Sequence, residues 1–362
     1  MKAQRIAVAM SGGVDSSVAA DVLVGQGYEV VGLTMAIWPH EGAKPLAGPN
    51  GSCGADAIEA ARQVAEALGI PHHVFDLREP FQRSVIDPFC DEYSRGRTPN
   101  PCVRCNLFLK FGELLRRAEQ VGAGRLATGH YARASYDEKR ERWVLRRGVD
   151  TAKDQSYSLY ALRQEQLARA VFPLGEMQKS ETRRRAAQLG LSTAERPESQ
   201  EICFIAGDGY REYLRRRRPD LARPGPIVDR EGRQLGRHLG IAFYTIGQRR
   251  GLRVASGKPL YVLGIDAQAN RLIVGGEEEV KFSGLLMRDV NFVSLPSLPR
   301  NGKKLRVKLR SAAPLTACTA WPEGGRVRLE FVRPQPAVSP GQAAVCYAGD
   351  AVALGGTIQS AF

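Results

Sequence analysis

Two stretches carry residues whose types and spacing suit chemistry. TPNPCVRCN places Cys102 and Cys105 three apart behind two prolines. A pair so spaced serves as a redox dithiol, half of a zinc site, part of an iron–sulfur site, or a loop with a sulfur nucleophile. The stretch alone does not choose among them. AMSGGVDSS, Ala9 to Ser17, is more definite. Gly12 and Gly13 permit a tight turn that aims backbone N–H groups inward. A helix starting there adds partial positive charge. Ser11, Ser16 and Ser17 offer hydroxyls, and Asp15 suits a magnesium ion carried on phosphates. This is an anion site, although the chain contains neither GxxxxGK[ST] nor GxGxxG. A plain Gly-Gly helix start is the bland alternative; the buried strand directly before the loop argues against it. Cys203, between apolar neighbours in EICFI, reads by itself as a small buried hydrophobe.

The surrounding elements place the loop. Ile6–Met10 is a continuous apolar run, as in a strand covered on both faces. Ser16–Val24 has helical apolar spacing, ended by Gly25 and Gly27, and Glu29–Met35 is a second strand. The unit is β-loop-α-β, so a parallel sheet with right-handed crossovers follows. Pro39–Gly54 reads as an exposed Gly/Pro loop, Ala55–Leu68 as a helix, His73–Leu77 as a strand, and Leu126–Thr128 as a strand entering the turn at Gly129 and His130. After about Phe204 the pattern changes. Arg215–Arg218 closes a helix that Pro219 stops. GIAFYTIGQ, KPLYVLGI and NRLIVGG read as antiparallel strands of a small β module. From about Phe282, LRVKLR, RVRLEFV and AAVCYAGDAVALGGTI suggest a closing β-barrel. The fold class is therefore α/β, a parallel-sheet domain followed by two β-rich ones.

Composition sets limits. With 362 residues, two or three domains are expected. Seven cysteines, an odd number irregularly spaced, make no disulfide scaffold and suit reduced thiols in a cytoplasmic protein. No run is long enough to span a bilayer, and the opening residues read as a buried strand rather than a leader, so no membrane partner is expected. The formal net charge of +14 favours a polyanionic partner, with nucleic acid the commonest.

SGGVDSS resembles the phosphate-loop motif of the ATP pyrophosphatases, which split ATP between the α and β phosphates and adenylate a carbonyl-type oxygen. GRTPNPCVRCN, LATGHYAR, KDQSYSLY, SQEICFI and FYTIGQRRGL, in order along nearly the whole chain, resemble the tRNA-specific 2-thiouridylases of the wobble uridine. That resemblance implies an ATP pyrophosphatase domain over 1–208, a central β-rich domain over 209–279 and a C-terminal barrel over 280–362. It implies ATP with magnesium as cofactor. Ala9, Met10, Ser11, Gly12, Gly13, Val14, Asp15, Ser16, Met35 and Gly129 would contact the nucleotide. Asn100, Pro101 and Cys102 would meet the target base; an amide such as Asn100 can read the edge of an extruded uracil. Lys153, Asp154, Gln155, Arg310 and Ser311 would touch tRNA. Cys203 would carry a persulfide and Cys105 would be the nucleophile, able to form a transient disulfide with it. The implied partners are tRNAs for Lys, Glu and Gln and a persulfide donor such as a cysteine desulfurase or a sulfur-carrier protein.

One position departs from the family. Where many members have an aspartate proposed as general base, this chain has Cys102. Cys102 is then a base or spare thiol, or else Cys102, Cys105 and Cys203 together ligate a [4Fe–4S] cluster with an open iron. Zinc would need a fourth ligand, and no second CxxC or CxxH exists. A non-catalytic, zinc-dependent RNA-binding protein would explain the charge and the CxxC but not SGGVDSS. Arg97, Arg104 and Lys110 are candidates to lower the Cys105 pKa. His130 reads as a supporting hydrogen-bond partner more readily than as a base. Strict alternation from Lys303 to Arg310 predicts a strand presenting Lys304, Arg306, Lys308 and Arg310 on one outer face, a phosphate-binding stripe. Ser311 stands where the family has a tyrosine, so a stacking contact is lost. Cys53, Cys90, Cys318 and Cys346 carry no motif and read as structural.

Overall fold

The computed structural model describes residues 4–38, 55–190, 202–205 and 209–362. The expected loop Pro39–Gly54, with Cys53, lies outside them, as do Ser199, Gln200 and Glu201 beside Cys203. The chain divides into two compact units that cut across sequence order: residues 1–85, 101–207 and 349–352, and residues 86–100, 208–348 and 353–362.

The first unit is built on a five-stranded parallel sheet. Its strands are β1 (Arg5–Ala9), β2 (Glu29–Ala36), β3 (His72–Asp76), β4 (Arg125–Ala127) and β7 (Ala170–Val171), in the order β3-β2-β1-β4-β7. Helices α1 (Val14–Gly25) and α2 (Ala55–Ala67) follow β1 and β2. The continuous apolar run of β1 is explained by burial: Ile6, Ala7 and Val8 are inaccessible. Ile6, Val8 and Met10 pack with Leu23 of α1 and Ala61 and Val64 of α2. Because β2 and β3 lie to one side of β1 and β4 to the other, the order reverses at β1/β4. Open α/β sheets bind ligands at the carboxyl ends of strands at such a point. A hairpin absent from the sequence reading, β5 (Ala132–Asp137) and β6 (Arg142–Arg147), also belongs to this unit.

In the second unit, helix Gly209–Arg217 precedes a four-stranded sheet ordered β10-β11-β8-β9, from β8 (Gly225–Val228), β9 (Gln234–His238), β10 (Tyr261–Asp266) and β11 (Arg271–Gly275). Two expectations are corrected here. The sheet is mixed, since β11 runs parallel to β8 through Leu272↔Ile227. GIAFYTIGQ is not a strand: Ile241–Phe243 is a 3-10 turn, and Ile241 to Tyr244 are all buried, which an alternating strand with one solvent face does not allow. The barrel is ringed by β12 (Lys281–Phe292), β15 (Arg326–Pro336), β14 (Thr316–Glu323), β13 (Lys303–Lys308), β16 (Ala343–Ala348) and β17 (Ala351–Ala361), closed by β12–β17 pairing. Leu285, Met287, Val307, Leu329 and Leu354 fill it, together with Cys318 and Cys346, so both cysteines are core residues.

The basic stripe is only partly realised. Strand β13 ends at Lys308, which is buried. Arg310 and Ser311 lie beyond it and are exposed. Arg306 donates to Leu315 O and Arg310 to Ala337 O, each at 3.2 Å. The four cations therefore do not share one open face.

Candidate functional site

The phosphate loop hangs between β1 and α1. Gly12 adopts φ +68, and a Cβ there would lie 2.3 Å from Ala57 O, so the position admits only glycine. Gly13 is the N-cap of α1 and offers no side chain to cap it, leaving N–H groups at that end for an anion. The serines are partly committed. Ser16 Oγ (2.9 Å) and Ser17 Oγ (3.0 Å) both donate to Gly13 O, and Ser11 N donates to Ser16 Oγ at 3.1 Å. Ser17 is fully buried and braces the loop, so it does not serve as a phosphate ligand.

A pocket of about 190 Å³ opens at the carboxyl ends of β1, β2 and β4. Of the ten residues expected at the nucleotide, Ala9, Met10, Ser11, Asp15, Ser16, Met35 and Gly129 line it, joined by Thr34, Lys110, His130 and Gln155. Gly12, Gly13 and Val14 form the turn without lining it. Thr34 fastens the floor, donating to Met10 O at 2.8 Å.

Asp15 has an unforeseen partner. Lys179 Nζ lies 2.6 Å from Asp15 Oδ1, and Tyr131 Oη donates to the same oxygen at 3.0 Å. Lys179 begins helix Lys179–Gln188, which is tied to α1 by an Arg185–Asp21 ion pair, and its side chain is 10% exposed. A nearly buried ammonium beside a phosphate loop fixes the carboxylate's direction and supplies positive charge. In the sequence it stands in the charged run KSETRRR, which carries no mark of burial.

The CxxC segment leads into the same pocket. Pro101–Arg104 forms one α turn, Cys105–Leu114 winds as a π-helix, and Leu115–Gln120 returns to α. In π winding, bonding runs from residue i to i+5, so residues five apart come onto one face. That register turns Lys110 toward Cys105. Burial, which strips water from the thiolate, pushes the Cys105 thiol above its ordinary range, and Lys110 draws it back. The same two influences act on Cys102, where the neighbouring Cys105 adds to the upward push. Cys102 keeps an open face to water, which weakens the upward push there. Of the three cations expected to act on Cys105, only Lys110 does. Arg104 donates to Ser84 O at 2.7 Å and lies over the Phe108 ring. Arg97 is bound to Glu92, 2.6 Å from Nε to Oε2.

His130 is buried and within hydrogen-bond distance of Thr128, Nδ1 to Oγ1 2.7 Å. Burial first, and Lys110 second, hold its pKa well below the ordinary imidazole value, so it is neutral. It supports the pocket wall and is no cation. Asp154 is buried, receiving Ser156 N at 3.0 Å and pairing with Arg147 at 3.1 Å, so its side chain holds a turn and is not placed to touch RNA. Gln155 faces the pocket and accepts from Tyr131 N at 3.0 Å. Lys153 is half-buried. Pro101 and Cys102 belong to the first unit and Asn100 to the second. Cys203 sits on a turn closed by Ile205 N to Ile202 O, 2.9 Å, next to Phe204, which packs edge-on against Phe81. Among the described residues no three Cys, His, Asp or Glu side chains are grouped to hold a metal, so the three cysteines do not form a cluster site in this arrangement. Among them also, no helix is long and apolar enough to cross a membrane.

Comparison with known proteins agrees along the whole chain. Family models described as a tRNA methyl transferase HUP domain, a tRNA methyl transferase PRC-barrel domain and an aminomethyltransferase β-barrel domain match residues 4–207, 211–276 and 282–358. A tRNA-specific 2-thiouridylase MnmA of Moorella thermoacetica is 49% identical over 98% of this chain and 99% of its own. Proteins of the same description from Symbiobacterium thermophilum (47%, 99% of this chain and 93% of that one) and Acetivibrio thermocellus (44%, 99% and 100%) are similar throughout. A solved 4-thiouridine synthetase–RNA complex with bound ATP aligns with 60% of this chain and 51% of its own, at 17% identity and a TM-score of 0.34, a likeness too slight to bear on function.

Proposed function

The chain belongs to the tRNA-specific 2-thiouridylase family, and on that footing we propose that it thiolates C2 of the wobble uridine of tRNA at the expense of ATP. The observation that carries this reading is the joining, in one unit, of a nucleotide-type pocket to the helix that begins at Cys105, which lines the pocket with Lys110 and Leu114 and whose Lys110 also acts on the Cys105 thiol. The words "methyl transferase" in two family models do not decide otherwise. The full-length relatives are thiouridylases, and the CxxC cysteines beside the pocket suit sulfur transfer better than methyl transfer.

The uracil O2 attacks the α-phosphorus of ATP, the bond to the bridging oxygen breaks, and pyrophosphate leaves with the electron pair. The N–H groups at the start of α1 and the Lys110 ammonium face the charge that develops. Magnesium would arrive with the nucleotide, and Asp15 is the residue to hold it, in competition with Lys179. A persulfide on Cys203 then attacks C2 through its terminal sulfur, and AMP departs with the former O2. The Cys105 thiolate attacks the inner sulfur of Cys203. The sulfur–sulfur bond breaks, a Cys105–Cys203 disulfide forms, and sulfur stays on C2. An external thiol then reduces the disulfide, and a persulfide donor recharges Cys203. Cys102 is the base near the target or a bystander. No step is routed through iron.

The test is pyrophosphate release by the Cys203→Ser variant. Adenylation needs no sulfur, so one equivalent of pyrophosphate, dependent on tRNA, is expected without any thiolated product. No tRNA-dependent release would reject the order of steps.

A further inference from the structure

The functional reading leaves TIGQRRGLR, residues 245–253, unused. In the second unit these residues form a loop, not a strand. Positive φ at Gly247 (+83), Gly251 (+79) and Arg253 (+56) bends it. The turn is tied by Thr245 N to Gln248 Oε1 (3.2 Å) and Gln248 Nε2 to Arg250 O (2.9 Å). Leu252 anchors it in the core, while Arg249, Arg250 and Arg253 are exposed. Among the described residues none of these three has an acidic partner. Nearby arginines do: Arg218 holds Asp91 and Asp220, Arg215 holds Glu212, and Arg233 holds Asp229.

A fourth guanidinium lies beside the loop. Arg211 Cζ is 5.8 Å from the Tyr210 ring centroid and 5.9 Å from that of Tyr244. Tyr210 stacks on Tyr93 at 4.8 Å, so the platform is fixed. Arg211 Nη1 would lie 3.5 Å from a Cβ at Gly251, and Arg211 Nε is buried with no hydrogen-bond partner among the described residues. Stacking thus holds in place a charged fork whose hydrogen bonds are not spent on the protein. Four guanidinium groups without counter-charge repel one another unless anions lie among them. Their planar forks match phosphate oxygens two at a time, and a glycine at the bend lets a phosphate approach closely.

We infer that Arg211 and the loop bearing Arg249, Arg250 and Arg253 form a phosphate clamp for the sugar–phosphate backbone of the tRNA substrate. This rests on the proposed tRNA substrate and adds where the central module grips it. An acidic protein surface is the rival occupant.

The test is equilibrium binding of unmodified substrate tRNA to the full chain across a salt series. The triple variant R249Q/R250Q/R253Q should bind roughly 100-fold more weakly near ~0.15 M salt, because each phosphate contact is worth roughly fivefold there. Its salt slope should fall by about 2–3, or about 0.7–0.9 per contact. Circular dichroism and a thermal unfolding midpoint close to wild type report folding of the variant, and ATP-analogue binding, a property of the other unit, should stay within about twofold because no pocket residue is changed. If the triple variant does not fold, R250Q alone should lose roughly fivefold and about one unit of slope, while R211K should weaken binding with the slope nearly kept. Wild-type affinity and slope in these variants, with the wild-type protein binding tRNA, would overturn the clamp. So would unchanged tRNA binding with lost capture of the persulfide donor. A wild-type protein that binds no tRNA would instead sink the functional reading, and the clamp with it.

Discussion

Replacing Gly129 by alanine tests how the pocket is built. Gly129 follows β4 and packs against the first turn of α1. An added Cβ would lie 2.7 Å from Asp15 C, 2.8 Å from Ser16 N and 2.9 Å from Asp15 O. Ordinary carbon contacts begin near ~3.5 Å, so the shortfall is about 0.8 Å. All three obstructing atoms are backbone, and no rotamer change relieves them. Either the phosphate loop or the β4 turn must move by most of that distance. A misplacement of about 1 Å costs on the order of 100-fold in a positioned reaction, or about 2.7 kcal/mol of transition-state stabilisation. Overpacking costs about 1–3 kcal/mol of stability besides. The assay is kcat/KM for ATP in tRNA-dependent pyrophosphate release, with thermal unfolding in parallel. Gly124→Ala is the control, since a Cβ there meets nothing within 4 Å, and it should leave both quantities near wild type. A Gly129→Ala protein with wild-type kcat/KM and Tm would refute the reasoning.

Three further outcomes follow from the site. Lys179→Met removes the cation from Asp15 and should cost about 1–2 kcal/mol of stability, discounted because the Asp15 side chain is 35% exposed, together with most pyrophosphate release; chemical denaturation and the release assay check it. Lys110→Met removes the one charge that draws the Cys105 thiol downward, so its pKa should rise and its alkylation rate at pH 7–8 should fall; an unchanged rate–pH profile would show that Lys110 does not act on the thiol. His130 is neutral in the fold with its pKa depressed by burial, so its full stabilising effect is present above the unfolded value near 6.5 and is lost as pH falls from there toward the folded value. The loss should reach about 1.4 kcal/mol per pH unit and be absent in His130→Gln, as read from denaturation midpoints at several pH values.

Much of the first unit was legible because its physics is local. A strand covered on both faces must be apolar throughout, and a phosphate loop needs glycine where φ is positive, as at Gly12. What escaped depends on long-range contact. Lys179 meets Asp15 across 164 residues, and nothing in KSETRRR marks it as buried. Nothing in CNLFLKFGEL announces a π-helix, and in the fold that winding brings Lys110 round to Cys105. The hairpin of β5 and β6 was hidden by its charged, weakly alternating sequence. The alternation of KKLRVKLR predicted a longer strand than forms, because the barrel buries Lys308 where β13 stops. Ile241–Tyr244 misled for the opposite reason: a buried apolar run suits a strand and a turn equally until the partners are known.

The central claim is that sulfur passes from this protein to C2 of the tRNA uridine under the control of ATP. The most direct measurement uses full-length protein whose cysteines carry a radiolabelled persulfide, freed of donor and mixed with unmodified tRNA. The account predicts that label moves to 2-thiouridine in the tRNA only when ATP is present, with one AMP and one pyrophosphate per sulfur, and that Cys203→Ser protein holds no transferable label. Transfer without ATP, or full transfer by the Cys203→Ser protein, would contradict it.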